Sequence, residues 1–360
     1  MAAFSQAKVG RWFVDSGIQN AAGGVARYFN AATGQYRAVS TEITGYSASA
    51  YVYLHRTTGE AEYLDRAILT ARFLANHAWD KPLQTFPFEH PSPSTDIDHH
   101  AYFFDCGIII RGLLAVWRYT KEDRLLEIAL AASRGMVRDF HSGNDYHPVL
   151  ALPEKHALRR DDRWSRSSGC YQLKAALAWW EVAEITGDAK LRAAFEEMLA
   201  ASLQSYDKFL PGVSEKHRVM DRLHAFSYFL EGLSVVADRP ECRAAYIDGI
   251  GMVQHYLLAI SPDFVRADVI AQILRARVNA AFLGVCNLDV EAATHHATML
   301  AEFQITSDDK RINGGFVFGR CNGQLAMHVN PWVSAFALQA LDQWQQWQAG
   351  AVEACPKLLI

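Results

Sequence analysis

The sequence predicts an all-α fold, an (α/α)6 toroid of six helical hairpins with short β-hairpins in its long loops. Three observations carry this. A break between two apolar helices recurs, the connections alternate between short and long, and an unpaired helical segment stands at each end of the chain. The short breaks read HRTTGEAEYL (55–64), RYTKEDRLL (118–126), EITGDAKLR (184–192), VADRPECRA (236–244) and GVCNLDVEA (284–292). Each holds Thr, Asp or Asn where the next helix needs a cap, often near Gly or Pro. Helices joined by so few residues lie antiparallel as neighbours.

The first helices of the hairpins are expected over about 44–56, 104–119, 169–185, 222–236 and 267–285. Their partners fall over about 60–77, 121–139, 188–206, 241–259 and 288–304. Stretches such as CGIIIRGLLAVW and GCYQLKAALAWW are apolar around most of their circumference and belong in an inner ring. Their partners, such as EYLDRAILTARFLANHA, carry one apolar stripe and belong outside. Segments 3–16 and 331–347 lack partners in sequence, and pairing them makes the sixth hairpin and closes the ring. An open solenoid of helix pairs is the alternative, but the repeats are unequal in length and their long loops gather at one end. A single domain over 1–360 is expected.

Composition agrees with a folded chain that has a large core. Half of its 360 residues are hydrophobic, and the formal net charge is −4. That charge, with no basic stripe interleaved with aromatics, argues against nucleic acid as a partner. The most apolar run, 103–117, is interrupted by Asp105 and Arg111, so no membrane partner is expected. The first residues lack the charged start and apolar core of a secretory signal. The six cysteines are scattered without CxxC and read as thiols of a cytoplasmic protein, as would a secreted chain trimmed of its signal. The pattern sets no oligomeric state.

The long connections, about 17–43, 78–103, 140–168, 207–221 and 305–330, fall at one end of the hairpins. Long loops without helix of their own usually carry function. GGVARYF (23–29), TFPFEH (85–90) and GGFVFGR (314–320) read there as short strands. Each inner helix begins at this end, and helix N-termini favour anions. The loops add arginines, among them Arg27, Arg37, Arg159, Arg311 and Arg320, along with several aspartates.

Asp105, in YFFDCG, stands where the second inner helix starts, packed by Tyr102, Phe103 and Phe104. Desolvation there suits a general acid or base; a plain N-cap is the competing account. Glu42, in STEITGY, precedes the first inner helix, with Thr44 the better cap, so Glu42 is free to face the cleft. Two carboxylates at neighbouring helix mouths can form an acid/base or acid/nucleophile pair for glycoside chemistry. His99 and His100 are alternative bases. Beside Asp96 and Asp98 they raise the question of a metal, but no HxxxH or CxxC spacing supports one, and neither metal nor cofactor is expected. Trp164 can stack a sugar ring while Arg163 or Arg166 holds a carboxylate. Asp221 and His224 flank the fourth inner helix start, with capping the simplest role for Asp221. Tyr28, His224 and Trp332 are further candidates for contact with a carbohydrate ligand. Asn330 is placed to cap the last inner helix, and Cys170 reads as a buried thiol.

The succession of GGVARYF and TEITGY is similar to the VpsJ-like proteins of bacterial exopolysaccharide loci. The wider hairpin pattern resembles the six-hairpin glycosidase superfamily, including unsaturated glucuronyl hydrolases, N-acylglucosamine 2-epimerases and (α/α)6 polysaccharide lyases. In the glucuronyl hydrolases an HDxGF-like element opens an inner helix with an essential Asp. FFDCGI (103–108) is similar to it, which implies that role for Asp105, with Phe104 where the motif has His. Those enzymes carry a second acid on the next inner helix, and SGCYQLKAALAWW has no counterpart. Helical toroids also serve terpenoid cyclases, but DDRW (161–164) lies in a loop and no DDxxD run stands on an inner helix. The resemblance implies a glycoside hydrolase-like enzyme acting by acid/base chemistry on an oligo- or polysaccharide, with uronic acid the expected component. Its alternatives are an epimerase or lyase on the same fold, and a non-catalytic carbohydrate-binding or assembly protein of polysaccharide biosynthesis.

Overall fold

The computed structural model describes residues 4–90, 99–143, 145–211, 216–261, 263–351 and 359–360. Its helices are α1 (Gln6–Asp15), α2 (Thr41–Thr58), α3 (Ala61–Phe73), α4 (Phe103–Thr120), α5 (Asp123–Phe140) and α6 (Gln172–Thr186). They continue with α7 (Ala189–Ser205), α8 (Lys216–Leu233), α9 (Pro240–Ile260), α10 (Ala267–Phe282), α11 (Val290–Ala301) and α12 (Pro331–Gln348). The backbone forms two compact units. A central unit comprises 19–27 and 36–204, and a terminal unit comprises 1–18, 28–35 and 205–360.

In the central unit α4 packs between α2 and α6, while α3 and α5 pack behind α2 and α4. This is the expected alternation of inner and outer helices. The short turns end their first helices with a residue in the left-handed region: Gly59 (φ 77°) after α2, Lys121 (φ 56°) after α4 and Gly187 (φ 74°) after α6. That conformation satisfies a trailing carbonyl and reverses the chain. The expected caps are found at two of the breaks. Asp188 accepts from Lys190 N (3.0 Å) ahead of α7, and Asp289 from Ala292 N (3.0 Å) ahead of α11. At the first break Thr58 instead turns back onto Leu54 O (2.8 Å) and accepts from Glu60 N (3.2 Å), finishing α2 rather than starting α3. A three-stranded antiparallel sheet, His100–Tyr102 with Val149–Ala151 and His156–Ala157, leads directly into α4.

In the terminal unit α10 packs against α8 and α12, and α1 packs against α12. The sequence-terminal helices therefore do pair, as the sixth hairpin requires. Antiparallel strands Phe264–Arg266, Val317–Cys321, Gln324–Val329 and Phe29–Asn30 lie side by side, and the first runs straight into α10.

The inner helices are buried nearly all round, as their apolar composition predicts, yet they also bury charge. Glu181 on α6 accepts from Arg111 (2.7 Å) and Arg118 (2.5 Å) of α4. Glu231 on α8 accepts from Arg275 of α10, which also donates to Gln339 Oε1 (2.8 Å). Buried ions of this kind persist only when paired. Among the described residues no helix is long and apolar enough to cross a membrane.

Candidate functional site

Three inner-helix starts of the central unit meet through glycine. A β-carbon on Gly45 of α2 would lie 2.8 Å from Ile109 Cα, and one on Gly112 would lie 2.5 Å from Gly45 O. One on Gly107 of α4 would lie 2.5 Å from Ala175 O. No side chain fits at such distances, so the helices cross at backbone contact. Glu42 stands three residues before Gly45, Asp105 two before Gly107, and Lys174 next to Ala175. Close crossing therefore draws two carboxyl groups and an ammonium together at the helix mouths.

Neither carboxylate caps a helix. Ser40 caps α2, accepting from Ile43 N (3.3 Å), while Thr44 donates back to Ser40 O (2.7 Å) and accepts from Val25 N (3.0 Å). Thr44 is thus not the cap, and α2 begins earlier than its apolar run. Glu42 sits in the first turn, half-buried. Asp105 is the third residue of α4, whose cap position is Tyr102, and is 5 % exposed. Its Oδ2 is buried without a hydrogen-bond partner among the described residues.

Burial raises Glu42 to about 7, with Arg27 and Lys174 pulling the other way. Burial also raises Asp105 well above the ordinary carboxylate range; the neighbouring Glu42 adds to this and Arg27 opposes it. A helix N-terminus favours the ionised form. Here desolvation and like charge outweigh it, as in paired carboxylates that share a proton.

Around the pair lies an aromatic and cationic wall. Burial pushes Tyr102 up, Asp105 adds to that, and Arg166, hydrogen-bonded to the phenol, works against it. The ring of Tyr102 lies 5.1 Å from Phe88, over which Arg27 is stacked at 5.1 Å. Trp164, in a 3-10 turn Trp164–Arg166, meets Phe104 (6.2 Å) and Tyr171 (5.2 Å) edge-on. Thr41 fixes the 85–90 segment by donating to Pro87 O (2.7 Å), and Phe88 N donates to His100 O (2.8 Å).

Of the other candidates, His100 lies on the strand entering α4, 6.4 Å from the Tyr102 ring, whereas His99 is exposed. Arg163 is exposed and bidentate to Asp161 (3.0 Å for Nε to Oδ2). Asp96 and Asp98 lie outside the described residues. Among the described residues no group of three or more His, Cys, Asp or Glu side chains is placed to hold a metal.

The terminal unit holds a second charged cluster. Asp268, in the first turn of α10, is fully buried. It accepts from Arg266 Nε (3.0 Å), from Trp332 Nε1 (3.2 Å) and from Val269 N (2.9 Å). Burial pushes its carboxyl up, but Arg266 and His224 outweigh that and hold it at about 2. His224 engages Gln272 Oε1 through Nδ1 (2.8 Å) and Tyr228 Oη through Nε2 (3.0 Å), and burial lowers it to about 4. Asp221 is not a cap: it lies inside α8 and accepts from Arg266 (2.6 Å). Asn330 occupies the cap position of α12 without a side-chain cap bond. Trp332 is partly exposed, and Tyr28 stacks on His328 at 4.7 Å.

Solved structures share this arrangement of helices over nearly their full length. A sugar epimerase from a ruminal bacterium aligns at TM-score 0.70 and 12 % identity, covering 94 % of this chain and 96 % of its own. Cellobiose 2-epimerase from Spirochaeta thermophila aligns at 0.71 and 12 %, covering 94 % of each chain. The unsaturated glucuronyl hydrolase of Bacillus sp. GL1, described as responsible for the degradation of glycosaminoglycan, aligns at 0.67 and 12 %, covering 97 % and 98 %. The chain has the six-hairpin glycosidase-like (α/α)6 fold. No family model matches the sequence, and no curated protein matches it at the sequence level. At these identities the likeness is one of fold, and the chemistry of this six-hairpin protein has to be argued from its own residues.

Sequence reasoning missed Lys174, Asp268 and Arg266. Lys174 is a cation set in an apolar stretch of sequence, and Asp268 and Arg266 straddle a strand-to-helix junction that leaves no spacing signature. The one available signal was a cation in the first turn of an inner helix, against the helix dipole.

Proposed function

We propose that this protein is a carbohydrate-active enzyme, glycoside hydrolase-like, that acts by acid/base chemistry on an oligo- or polysaccharide containing uronic acid. The carrying observation is the Glu42–Asp105 pair: two carboxyl groups at adjacent helix mouths, both raised by burial, one with an oxygen that has no partner among the described residues. Titratable groups driven from their ordinary values by burial and a like charge mark functional sites. In our reading Asp105, whose burial and like-charged neighbour favour its protonated form, gives its proton to the departing glycosidic oxygen. Glu42, ionised, takes a proton from the water that attacks the anomeric carbon. His100, beside Tyr102, is the alternative base, and His99 the more distant one. Trp164 stacks a sugar ring while Arg166 and Arg163 meet a carboxylate. In the terminal unit Tyr28 and Trp332 offer further sugar-binding faces, with His224 acting behind Trp332 through Asp268. The structural neighbours' names, sugar epimerases and a glucuronyl hydrolase, support the substrate class. We place the protein in the cytoplasm, where Cys106, Cys170, Cys242, Cys286 and Cys321, none of them in a disulfide, stay thiols.

The test is turnover of saturated and unsaturated uronic-acid oligosaccharides by the native chain, Asp105→Asn and Glu42→Gln. Each substitution is expected to lower turnover by about 10²- to 10⁴-fold. Sugars that bind but are never turned over would replace the enzyme with a carbohydrate-binding or assembly protein. Turnover indifferent to both substitutions would move the site elsewhere in the chain.

A further inference from the structure

The arginines of the loop before α6 are already engaged. Arg160 donates to Asp145 (2.8 Å), Arg163 is bidentate to Asp161, and Arg166 is bonded to the Tyr102 phenol. Arg27 differs. Its side chain is exposed, and its guanidinium makes no hydrogen bond or ion pair among the described residues. It lies instead over the Phe88 ring, 5.1 Å from the ring centre. Phe88 is tied to both helix mouths. Its carbonyl accepts from Thr41 N (3.2 Å), the residue before Glu42, and its N–H donates to His100 O (2.8 Å) on the strand that enters α4. Its ring lies 5.1 Å from that of Tyr102, the cap position of the helix that carries Asp105.

The backbone that presents Arg27 is equally fixed. Arg27 N donates to Ala38 O (2.9 Å). Val25 donates to Thr44 Oγ1 (3.0 Å) and accepts from Ser40 N (3.1 Å), so it is bonded on each side of Glu42. Behind it the chain is pressed onto α3, where a β-carbon on Gly24 would lie 2.8 Å from Phe73 Cζ. A guanidinium stacked on a ring uses its face and keeps its in-plane N–H groups for other partners. Those groups form the fork that fits a carboxylate through two parallel hydrogen bonds. A fork held in advance loses little freedom on binding.

We propose that Arg27 is the specificity-determining residue of this site: its stacked guanidinium binds the carboxylate of a uronic acid residue presented to the Glu42–Asp105 pair. The proposal rests on the acid/base reading and deepens it by naming the group that the site recognises. Arg163 and Arg166 can join only by leaving Asp161 and Tyr102, so they come second.

The test compares sugars that differ only in the carboxylate. D-glucuronate, D-galacturonate and D-mannuronate are titrated into the full chain beside D-glucose, D-galactose and D-mannose, with binding followed by saturation-transfer NMR. The native chain should bind at least one uronate about tenfold more tightly than its parent sugar. Arg27→Gln should abolish that preference and leave the affinity for the parent sugar unchanged. Arg27→Lys should restore only part of it, because an ammonium keeps the charge without the fork. Arg163→Gln should keep most of it. An Arg27→Gln chain that retains the preference overturns the proposal. So does a native chain that binds uronates and parent sugars alike, or binds none of them, and this outcome needs no variant. Glucose 6-sulfate bound more tightly than glucuronate would overturn the carboxylate assignment. The two readings also fail separately. A preference that depends on Arg27 in a chain that turns over no sugar sinks the enzyme and keeps the reader. Turnover by a chain indifferent to the carboxylate sinks the reader alone.

Discussion

Asp105 and Asp268 are the same residue type in the same setting, yet the molecule treats them in opposite ways. Each lies in the first turn of an inner helix directly after a short strand, and each is almost entirely buried. Asp268 has an arginine two residues before it, an indole N–H and a backbone N–H, and is held at about 2. Asp105 has a second carboxyl for a neighbour and one oxygen with no hydrogen bond among the described residues, and is driven upward. Helix position and burial are therefore not what decide the state of a carboxylate; the groups that face it are. Removing one partner from a satisfied buried ion is costly, and a buried carboxyl left unsatisfied already carries a desolvation cost. The central unit thus holds a stressed pair, and the terminal unit a settled one.

The largest expected effect lies in the settled cluster. Asp268→Ala would leave Arg266, whose guanidinium lies over the Phe318 ring, with the half-exposed Asp221 as its remaining ion-pair partner among the described residues. Losing one partner of a buried ion pair costs about 3–5 kcal/mol. Urea unfolding monitored by circular dichroism should show this loss, together with a change in Trp332 fluorescence as its N–H bond disappears. A loss below about 1 kcal/mol would mean that Asp268 is no hub and that the contrast between the clusters is overdrawn.

The stressed pair predicts the reverse sign. Glu42 and Asp105 are raised in the folded chain above the value near 4 that an unfolded carboxyl has. The folded state then holds more protons than the unfolded state, so stability falls as pH rises from about 4 through about 7. Asp105→Asn removes the like-charge repulsion and should stabilise the protein at pH 8, by something on the order of 2 kcal/mol, with little change at pH 4. Melting curves at the two pH values separate the outcomes. A destabilised Asp105→Asn at pH 8 would make Asp105 a structural carboxylate like Asp268.

Much of this was open to sequence reasoning, and the remainder has a physical cause. The hairpins follow from spacing because helices joined by a break of only a few residues lie antiparallel as neighbours. Glu42 and Asp105 stand out because a carboxylate at the mouth of an apolar helix is conspicuous. The start of α2 escaped because Thr41 and Glu42 are polar although helical, so the helix outruns its apolar signal. Asp221 read as a cap because α8 extends polar residues before its apolar face, and its real partner, Arg266, is 45 residues away. Lys174 escaped because the ring it lies over, Tyr46, comes from another helix, and Asp268 because Arg266 precedes it across a strand-to-helix junction without a spacing signature while Trp332 is 64 residues away. Glycine was the overlooked guide, since Gly45, Gly107 and Gly112 mark where backbones touch and hence which helix mouths meet.

That guide supplies the smallest and most discriminating prediction. The stressed pair is brought together by backbone contact, whereas the settled one is held by charge, so a single methyl group should perturb only the former. Gly107→Ala places a β-carbon 2.5 Å from Ala175 O and 2.6 Å from Ala175 Cα, both backbone atoms that cannot rotate away. The α4–α6 crossing must open, at a cost of about 1–3 kcal/mol. Opening admits water between Asp105 and its neighbours and moves α6, with Lys174, away from α4. Both carboxyls should then titrate nearer their ordinary values, because the desolvation that raises them is relieved. Turnover should fall further than stability does. His224, whose environment is set by Gln272, Tyr228 and Asp268, should keep its lowered value in the same variant. Carboxyl titrations that stay in place while the protein is destabilised would show that the glycines serve packing alone, and that the stress on Glu42 and Asp105 has another source.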